Sequence, residues 1–221
     1  MVRFPRVSGR GVHMGEVEMQ RRVGIVLFDG FEVLDVFGPV ELFGQLPDRY
    51  RLAWVAPEPG PVRSAQGVEV MATESLDEAV PADIVLVPGG MGTRRLVGDR
   101  GFLERLASWS SGASMVTSVC TGSAVLAAAG LLEGYRATSN KRAFAWASGH
   151  GRGVTWLPKA RWVHDRDRWT SSGVAAGMDM AAAIIRDLDG EAAAEDVVQA
   201  IELEAHADST WDPFAAANGL V

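Results

Sequence analysis

The sequence predicts a doubly wound α/β fold, in which a mostly parallel sheet carries helices on both faces. Short, continuously apolar runs of the kind found in strands buried on both sides alternate with segments of helical spacing. The clearest runs are Val23–Phe28, Asp83–Val87 and Met115–Val119. Each leads into a glycine-containing turn or a small-residue segment, so their carboxyl ends are expected to meet at one edge of the sheet, where ligands bind in such folds.

The first half of the chain supplies most of the predicted sheet and two of its helices. Apolar residues at helical spacing predict the helices, and β-branched or aromatic residues predict the strands. The further elements expected here are helix Glu32–Gly44 with an interruption at Gly38-Pro39, strand Arg51–Val55, a link at Pro57–Pro61, a strand or half hairpin at Gln66–Met71, a helical turn at Ser75–Ala79 and helix Gly101–Ser110.

The second half continues the alternation without an internal repeat or a linker. Its predicted elements are a helix from Cys120 to Gly130, a strand end at Arg136–Ser139, helix Lys141–Ala147, strands Val154–Trp156 and Ala160–His164, a turn at Asp165–Arg168, strand Trp169–Ser172, and helices Ala175–Asp187 and Glu191–Ala205. We therefore expect a single domain over residues 22–221, preceded by an arginine-rich N-terminal tail, residues 1–21, that is disordered or loosely docked.

The amino-acid composition argues against several classes of function. The 221 residues carry a net charge of −7, which argues against a nucleic-acid surface and favours a small-molecule ligand. A single cysteine cannot form an intramolecular disulfide, and no apolar run approaches the ~20 residues that cross a bilayer. We expect a soluble, cytoplasmic protein without a membrane partner, and its tryptophan-rich composition favours a homodimer.

The single cysteine, Cys120, lies where the apolar run Met115–Val119 passes into small residues. A strand that breaks directly into a helix places the intervening residue on a sharp turn over the helix N-terminus. The dipole and backbone N–H groups there would favour a thiolate and lower the pKa of the thiol from roughly 8.5. The alternative is a buried, unreactive cysteine acting as a small hydrophobe. Position alone leaves both interpretations open.

Three motifs together resemble the ThiJ/PfpI superfamily, which has the class I glutamine-amidotransferase-like, or flavodoxin-like, sandwich fold. They are the segment from Leu34 to Glu41, the Pro88-Gly89-Gly90 turn and the elbow Cys120-Thr-Gly-Ser123. The resemblance runs from about Arg22 to about His206. Within the superfamily the first and last of these motifs, together with the segments Gly134–Thr138 and Gly173–Asp179, are most similar to isonitrile hydratases, and they also resemble the ligand-sensing halves of AraC-type regulators.

The resemblance implies a role for five residues. Cys120 matches the nucleophile, Asp35 the carboxyl that contacts it, and Thr121 the residue that follows it. Gly89 and Gly90 match the turn whose backbone N–H groups face the site and can stabilise developing negative charge. A buried, protonated carboxyl could hydrogen-bond the sulfur and later donate a proton. Asp35 could instead cap a helix or be solvated, Thr121 could serve only as a first-turn helix residue, and the two glycines could simply form a tight turn.

Two departures from the superfamily pattern bear on the chemistry. The protease-like members have a histidine directly after the nucleophile, where this chain has Thr121, so peptidase activity is disfavoured. The four histidines are interpreted as surface or packing residues. Isonitrile hydratases typically show Thr-Thr-His-Trp where this chain has Thr138-Ser-Asn140-Lys141, which implies a different substrate pocket around Thr138 and Asn140.

The function implied by the resemblance is hydration of an isonitrile to an N-substituted formamide through Cys120. The alternatives are a ligand-sensing or redox-responsive protein with an oxidisable Cys120, and a glyoxalase-like or amidase-like enzyme. No cofactor is expected, and one cysteine with scattered histidines predicts no metal site. Four tryptophans are candidates for lining an apolar pocket: Trp146, Trp156, Trp162 and Trp169.

Overall fold

A computed structural model describes residues 20–221. The strands are β1 (Arg21–Val26), β2 (Tyr50–Ala56), β3 (Gly60–Arg63), β4 (Glu69–Ala72), β5 (Glu74–Ser75), β6 (Ile84–Val87), β7 (Met115–Ser118), β8 (Arg136–Ala137), β9 (Thr155–Trp156), β10 (Trp162–Asp165) and β11 (Arg168–Ser171). The helices are α1 (Val33–Gly44), α2 (Thr93–Leu96), α3 (Arg100–Ser110), α4 (Gly122–Ala128), α5 (Phe144–Ala147), α6 (Ala176–Asp189), α7 (Glu191–Ala200) and α8 (Phe214–Ala217).

The main sheet has seven strands in the order β10-β11-β7-β6-β1-β2-β5. Every neighbouring pair is parallel except β10 with β11. Strands β1, β6 and β7 are adjacent at its centre, and β6 and β7 are buried along their whole lengths. Continuous burial explains why these runs do not alternate apolar with exposed polar residues: all of β6 is apolar, and the two polar residues of β7, Thr117 and Ser118, are themselves buried. The predicted α/β sandwich with a mostly parallel sheet is confirmed.

Helix α1 carries Asp35 in its first turn and continues through Pro39, so the predicted interruption is absent. The helix packs closely on α6, because a Cβ at Gly38 would lie 2.8 Å from Cγ of Met178. Asp35, in the first turn of this helix, is fully buried.

Other predicted elements also differ from the structure. The last long helix ends at Ala200 instead of Ala205, because Glu202 adopts a left-handed backbone, φ 53°, that no right-handed helix continues. The predicted link at 57–61 contains the start of β3, which pairs antiparallel with β4 as a hairpin. Helix α5 begins only at Phe144, because the Asn140 side chain accepts the N–H of Ala143 in a turn that precedes it.

The predicted N-terminal tail lies almost wholly outside the described residues. Its last residue, Arg21, is the first residue of strand β1. Between residues 20 and 221, no helix combines the length and the apolar character needed to cross a bilayer.

Candidate active site

The carboxyl ends of β1, β6 and β7 meet at one edge of the sheet, as the sequence predicts. The loops that follow β1 and β6 are tied together by backbone hydrogen bonds, from Glu32 N–H to Gly89 O (2.9 Å) and from Gly92 N–H to Gly30 O (3.0 Å). Gly90 has φ +120°, and a Cβ there would lie 2.4 Å from Gly30 O. Only glycine permits this approach.

Cys120 occupies a sharp elbow between β7 and α4. Its φ of 57° lies in the left-handed region, which costs a non-glycine residue about 1–3 kcal/mol. Several hydrogen bonds hold this backbone: its N–H donates to Ser172 O (3.0 Å), and its carbonyl accepts the hydroxyls of Ser123 and Ser139 (3.0 Å each). A Cβ at Gly122 would lie 2.2 Å from Val87 O, so the residue two places after the cysteine must be glycine.

Asp35 faces this elbow from α1. Its Oδ2 accepts the N–H of Gly89 at 2.8 Å. Its Oδ1 is buried without a hydrogen-bond partner of standard geometry among the described residues. Burial raises the pKa of Asp35 to about 7; the Gly89 hydrogen bond opposes the rise, the charge of Glu32 adds to it, and the adjoining Cys120 thiol lowers it. Near neutral pH this carboxyl can therefore both accept and donate a proton.

The Cys120 thiol is also buried, with 7% of the residue exposed. Burial raises its pKa above the usual range, and the negative charge of Asp35 raises it further. Hydrogen bonds from Thr121 and from the backbone N–H of Val174 oppose this effect. The expectation that the turn lowers the thiol pKa is wrong for this structure, because desolvation outweighs the local backbone donors.

The two glycines of the β6 turn hold side chains in place. Gly89 N–H donates to Asp35, and Gly90 N–H donates to Oγ1 of Thr121 at 3.1 Å. Both N–H groups predicted to stabilise negative charge are thus engaged in this conformation, and that role stays a prediction. A Cβ at Gly89 would lie 2.6 Å from Thr121 N and 2.8 Å from Asp35 Oδ2, so this glycine lets the two residues converge.

Sequence reasoning missed Arg94. Its Nη1 donates to Thr93 Oγ1 (3.1 Å), and the Thr93 hydroxyl bonds to Thr121 Oγ1 (3.2 Å). The guanidinium lies over the Trp146 ring, 3.6 Å from its centroid. The ring of His150 packs against the same indole at 4.9 Å. The only sequence signal was a pair of arginines shortly after the Gly89-Gly90 turn.

A second missed group is a buried ionic network behind the Ser172–Val174 loop. Arg161 pairs with Asp179 at 2.6 Å and with Asp212 at 3.8 Å. Asp212 also accepts the Ser172 hydroxyl. Because the carbonyl of Ser172 accepts the Cys120 N–H, this network supports the elbow from the C-terminal segment. The three charged residues of this network are far apart in the sequence, so no local motif predicted that they would meet.

Thr138 and Asn140, the predicted substrate-binding residues, occupy different environments. Thr138 is fully buried, and its hydroxyl accepts Nζ of Lys141 (2.8 Å) and donates to Leu157 O (2.8 Å). Burial lowers the pKa of Lys141 to about 8, and the charge of Asp212 opposes this shift. Asn140 is half-buried and lines a pocket of about 410 Å³ together with Val174, whose N–H faces the Cys120 sulfur. Asn140 thus lies near the site, whereas the Thr138 hydroxyl is occupied by hydrogen bonds within the protein interior.

The four tryptophans do not share one pocket. Trp162 and Trp169 line a separate cavity of about 590 Å³ at the β10 and β11 edge of the sheet. Trp156 packs edge-on against Phe144, with ring centroids 6.2 Å apart. Trp146 alone contacts the Cys120 surroundings, through Arg94. Among residues 20–221, no three His, Cys, Asp or Glu side chains come together as metal ligands.

A cysteine on a strained strand-to-helix elbow, facing a buried carboxyl at the carboxyl edge of a parallel sheet, defines a class of α/β proteins that carry a cysteine at the turn between a central strand and the following helix. The DJ-1/PfpI family model matches residues 21–187. The chain belongs to the DJ-1/PfpI family.

The similar proteins include an enzyme and regulators. An isonitrile hydratase of Pseudomonas putida is 36% identical over 190 residues, covering 84% of this chain and 78% of that protein. The HTH-type transcriptional regulator GbdR of Pseudomonas aeruginosa is 31% identical over 72% of this chain, which spans only 44% of the regulator. A crystal structure of a ThiJ/PfpI family protein from Pseudomonas syringae has a TM-score of 0.78 and 28% identity, covering 97% of this chain and 90% of that one.

Proposed function

We propose that this protein is a cysteine-dependent hydratase that converts an isonitrile to an N-substituted formamide. The observation that carries the proposal is the Asp35–Cys120 pair: a carboxyl whose pKa is about 7 adjoins a protonated thiol on a strained elbow. Addition of a thiol to an isonitrile moves one proton from sulfur to carbon, and a carboxyl near half-protonation can carry that proton.

In the first step, Asp35 accepts the thiol proton while Cys120 sulfur bonds to the terminal isonitrile carbon. The proton then passes to that carbon, giving a covalent thioimidate in which carbon is bonded to hydrogen, sulfur and nitrogen. The N–H groups of Thr121 and Val174 adjoin the sulfur and stabilise negative charge that develops on it. Asp35 starts this step as a carboxylate and is a carboxylate again at its end.

In the second step, water adds to the thioimidate carbon. Asp35 accepts one proton from the water and passes it to the nitrogen, which gives the tetrahedral intermediate. Asp35 then carries the hydroxyl proton of this intermediate to sulfur, as the carbon–oxygen double bond forms and the carbon–sulfur bond breaks. The products are the formamide and the free Cys120 thiol, so the net reaction consumes one isonitrile and one water. The 36% identity to an isonitrile hydratase over most of both chains supports this chemistry.

The test is a formamide-forming assay with a panel of alkyl and aryl isonitriles. Cys120→Ala is expected to abolish turnover without unfolding the protein. Asp35→Asn is expected to slow it by roughly 10²–10⁴-fold, the usual loss for a general acid–base group. Asp187→Asn, which removes an exposed carboxylate, is the matched control. Turnover by the Cys120→Ala variant would exclude the covalent mechanism.

A second candidate is a ligand-sensing or redox-responsive role for Cys120. The 31% identity to a transcriptional regulator over 72% of this chain favours it. Peroxide treatment followed by mass spectrometry would then show stepwise conversion of Cys120 to sulfenate and sulfinate. The sensor is preferred if Cys120 oxidises readily at low peroxide and the wild type turns over none of the isonitriles. Rapid turnover with slow oxidation favours the hydratase.

A further inference from the structure

Arg94 presents an uncompensated positive charge beside the candidate active site. Its one hydrogen bond within residues 20–221 runs from Nη1 to the Thr93 hydroxyl, and no carboxylate in this part of the chain pairs with it. A guanidinium has five N–H donors. Most of these donors have no partner in this part of the chain and are free to bind a ligand.

The position of this charge is held from two sides. The Trp146 ring supports the flat face of the guanidinium at 3.6 Å. The Thr93 hydroxyl fixes its edge, and that hydroxyl is itself bonded to Gly90 O (2.7 Å) and to Thr121 Oγ1 (3.2 Å). An arginine stacked in this way loses little further side-chain freedom on binding an anion, so it is preorganised.

The guanidinium also lies close enough to Cys120 that, although burial lowers the pKa of Arg94, a thiolate formed at Cys120 would raise it. Arg94 Nη1 is linked to Oγ1 of Thr121, the residue after Cys120, by two hydrogen bonds that share the Thr93 hydroxyl. A molecule bonded to the Cys120 sulfur could therefore extend toward Arg94.

We propose that Arg94 is a specificity-determining residue that selects substrates carrying an anionic group, a carboxylate in particular, a short distance from the atom that Cys120 attacks. A carboxylate fits the planar fork of the guanidinium with two parallel hydrogen bonds. The substrate class would then be isonitriles that bear a carboxylate. This inference rests on the proposed function for the reacting group, but the preference for an anion can be measured without that reaction.

The first experiment compares alkylation of Cys120 by iodoacetate and iodoacetamide. These reagents have nearly the same size and attack the same thiolate, and they differ by one negative charge. Because the sequence contains one cysteine, labelling measured by mass spectrometry reports Cys120 alone. The rate ratio, iodoacetate over iodoacetamide, is divided by the same ratio for glutathione, which removes the intrinsic difference between the reagents.

We expect Arg94→Gln to lower this normalised ratio about 10-fold, in keeping with the loss of a charge-assisted hydrogen bond. Arg94→Lys should restore part of it. Arg95→Gln is the matched control, because Arg95 is an exposed neighbour in the same helix that donates to Asp29 O (3.1 Å). Equal ratios in the wild type and Arg94→Gln, or an equal fall in both glutamine variants, would overturn the proposal.

A measurement on the wild type covers the case in which Arg94→Gln fails to fold. Raising the ionic strength from 0.02 M to 0.5 M screens a partly exposed charge and should lower the iodoacetate preference toward that of glutathione. A ratio that already equals the glutathione value at 0.02 M would contradict the proposal.

The second experiment uses 4-isocyanobenzoate and its neutral methyl ester as substrates. Arg94→Gln should raise KM for the carboxylate about 10-fold with little change in kcat, because the contact holds the substrate and the transition state equally, and it should leave the ester unaffected. An unchanged KM for the carboxylate overturns the inference and leaves the hydratase standing. If neither compound is hydrated, the hydratase fails, and the alkylation ratio still decides the role of Arg94.

Discussion

Replacing Asp35 by Asn removes a carboxyl group that the folded protein buries completely. The asparagine keeps an oxygen that can accept the Gly89 N–H, which donates to Asp35 Oδ2 at 2.8 Å. The substitution therefore changes mainly the ionisable group, and its effect on stability should depend on pH.

The magnitude follows from the pKa of Asp35, which burial raises from 3.8 to about 7. Between these values the unfolded chain loses the proton and the folded protein retains it. Stability of the wild type therefore falls as pH rises, by about 1.4 kcal/mol per pH unit, and levels off above pH 7. The whole difference corresponds to roughly 4 kcal/mol, of which about 2–3 kcal/mol lies between pH 5 and pH 7.

The assay is urea unfolding of both proteins at intervals from pH 5 to pH 8. Taking the difference between the two cancels every other titrating group that the substitution leaves untouched. The Asp35→Asn variant should gain about 2–3 kcal/mol relative to the wild type over this range, with the gain complete near pH 7. The exposed control Asp187→Asn should show a difference that stays within about 0.5 kcal/mol at every pH.

A difference that stays constant from pH 5 to pH 8 would refute the reasoning, because it would mean that burial does not raise the pKa of Asp35. A difference of the opposite sign, with the wild type gaining stability as pH rises, would mean that partners in the fold hold Asp35 as a carboxylate. Either result would also remove Asp35 as a proton carrier tuned to neutral pH.

Three further outcomes are expected. Gly89→Ala should destabilise the protein by about 1–3 kcal/mol and lower formamide formation, because the new Cβ would lie 2.6 Å from Thr121 N. Gly112→Ala is the control, because a Cβ at Gly112 would have nothing within 4 Å, and it should change neither property. Equal effects of the two substitutions in thermal melts and activity assays would contradict this prediction. Asp212→Asn should cost roughly 3–5 kcal/mol in urea unfolding by leaving Arg161 partly uncompensated, and a loss below about 1 kcal/mol would show that Asp179 alone suffices. Light scattering should show a homodimer, and a concentration-independent monomer of 23.6 kDa would exclude it.

The sequence by itself determined the central strands and the elbow. Strands buried on both faces are rich in apolar residues without a two-residue alternation, so the buried parts of β1, β6 and β7 could be recognised from local composition. The break from β-branched to small residues at Cys120 marked a strand-to-helix turn for a similarly local reason. Glu202 shows the limit, since a helical pattern continued past a residue whose backbone ends the helix.

Only the tertiary structure decided the electrostatics of the site. Local reasoning gave Cys120 a lowered pKa, but desolvation depends on every segment packed around the thiol and reverses that direction. Arg94 and Arg95 are adjacent and chemically identical in sequence, yet one stacks on Trp146 beside the thiol and the other is exposed. The sequence shows which side chains can carry a charge, whereas the solvation and the neighbours of each side chain depend on segments that are distant along the chain.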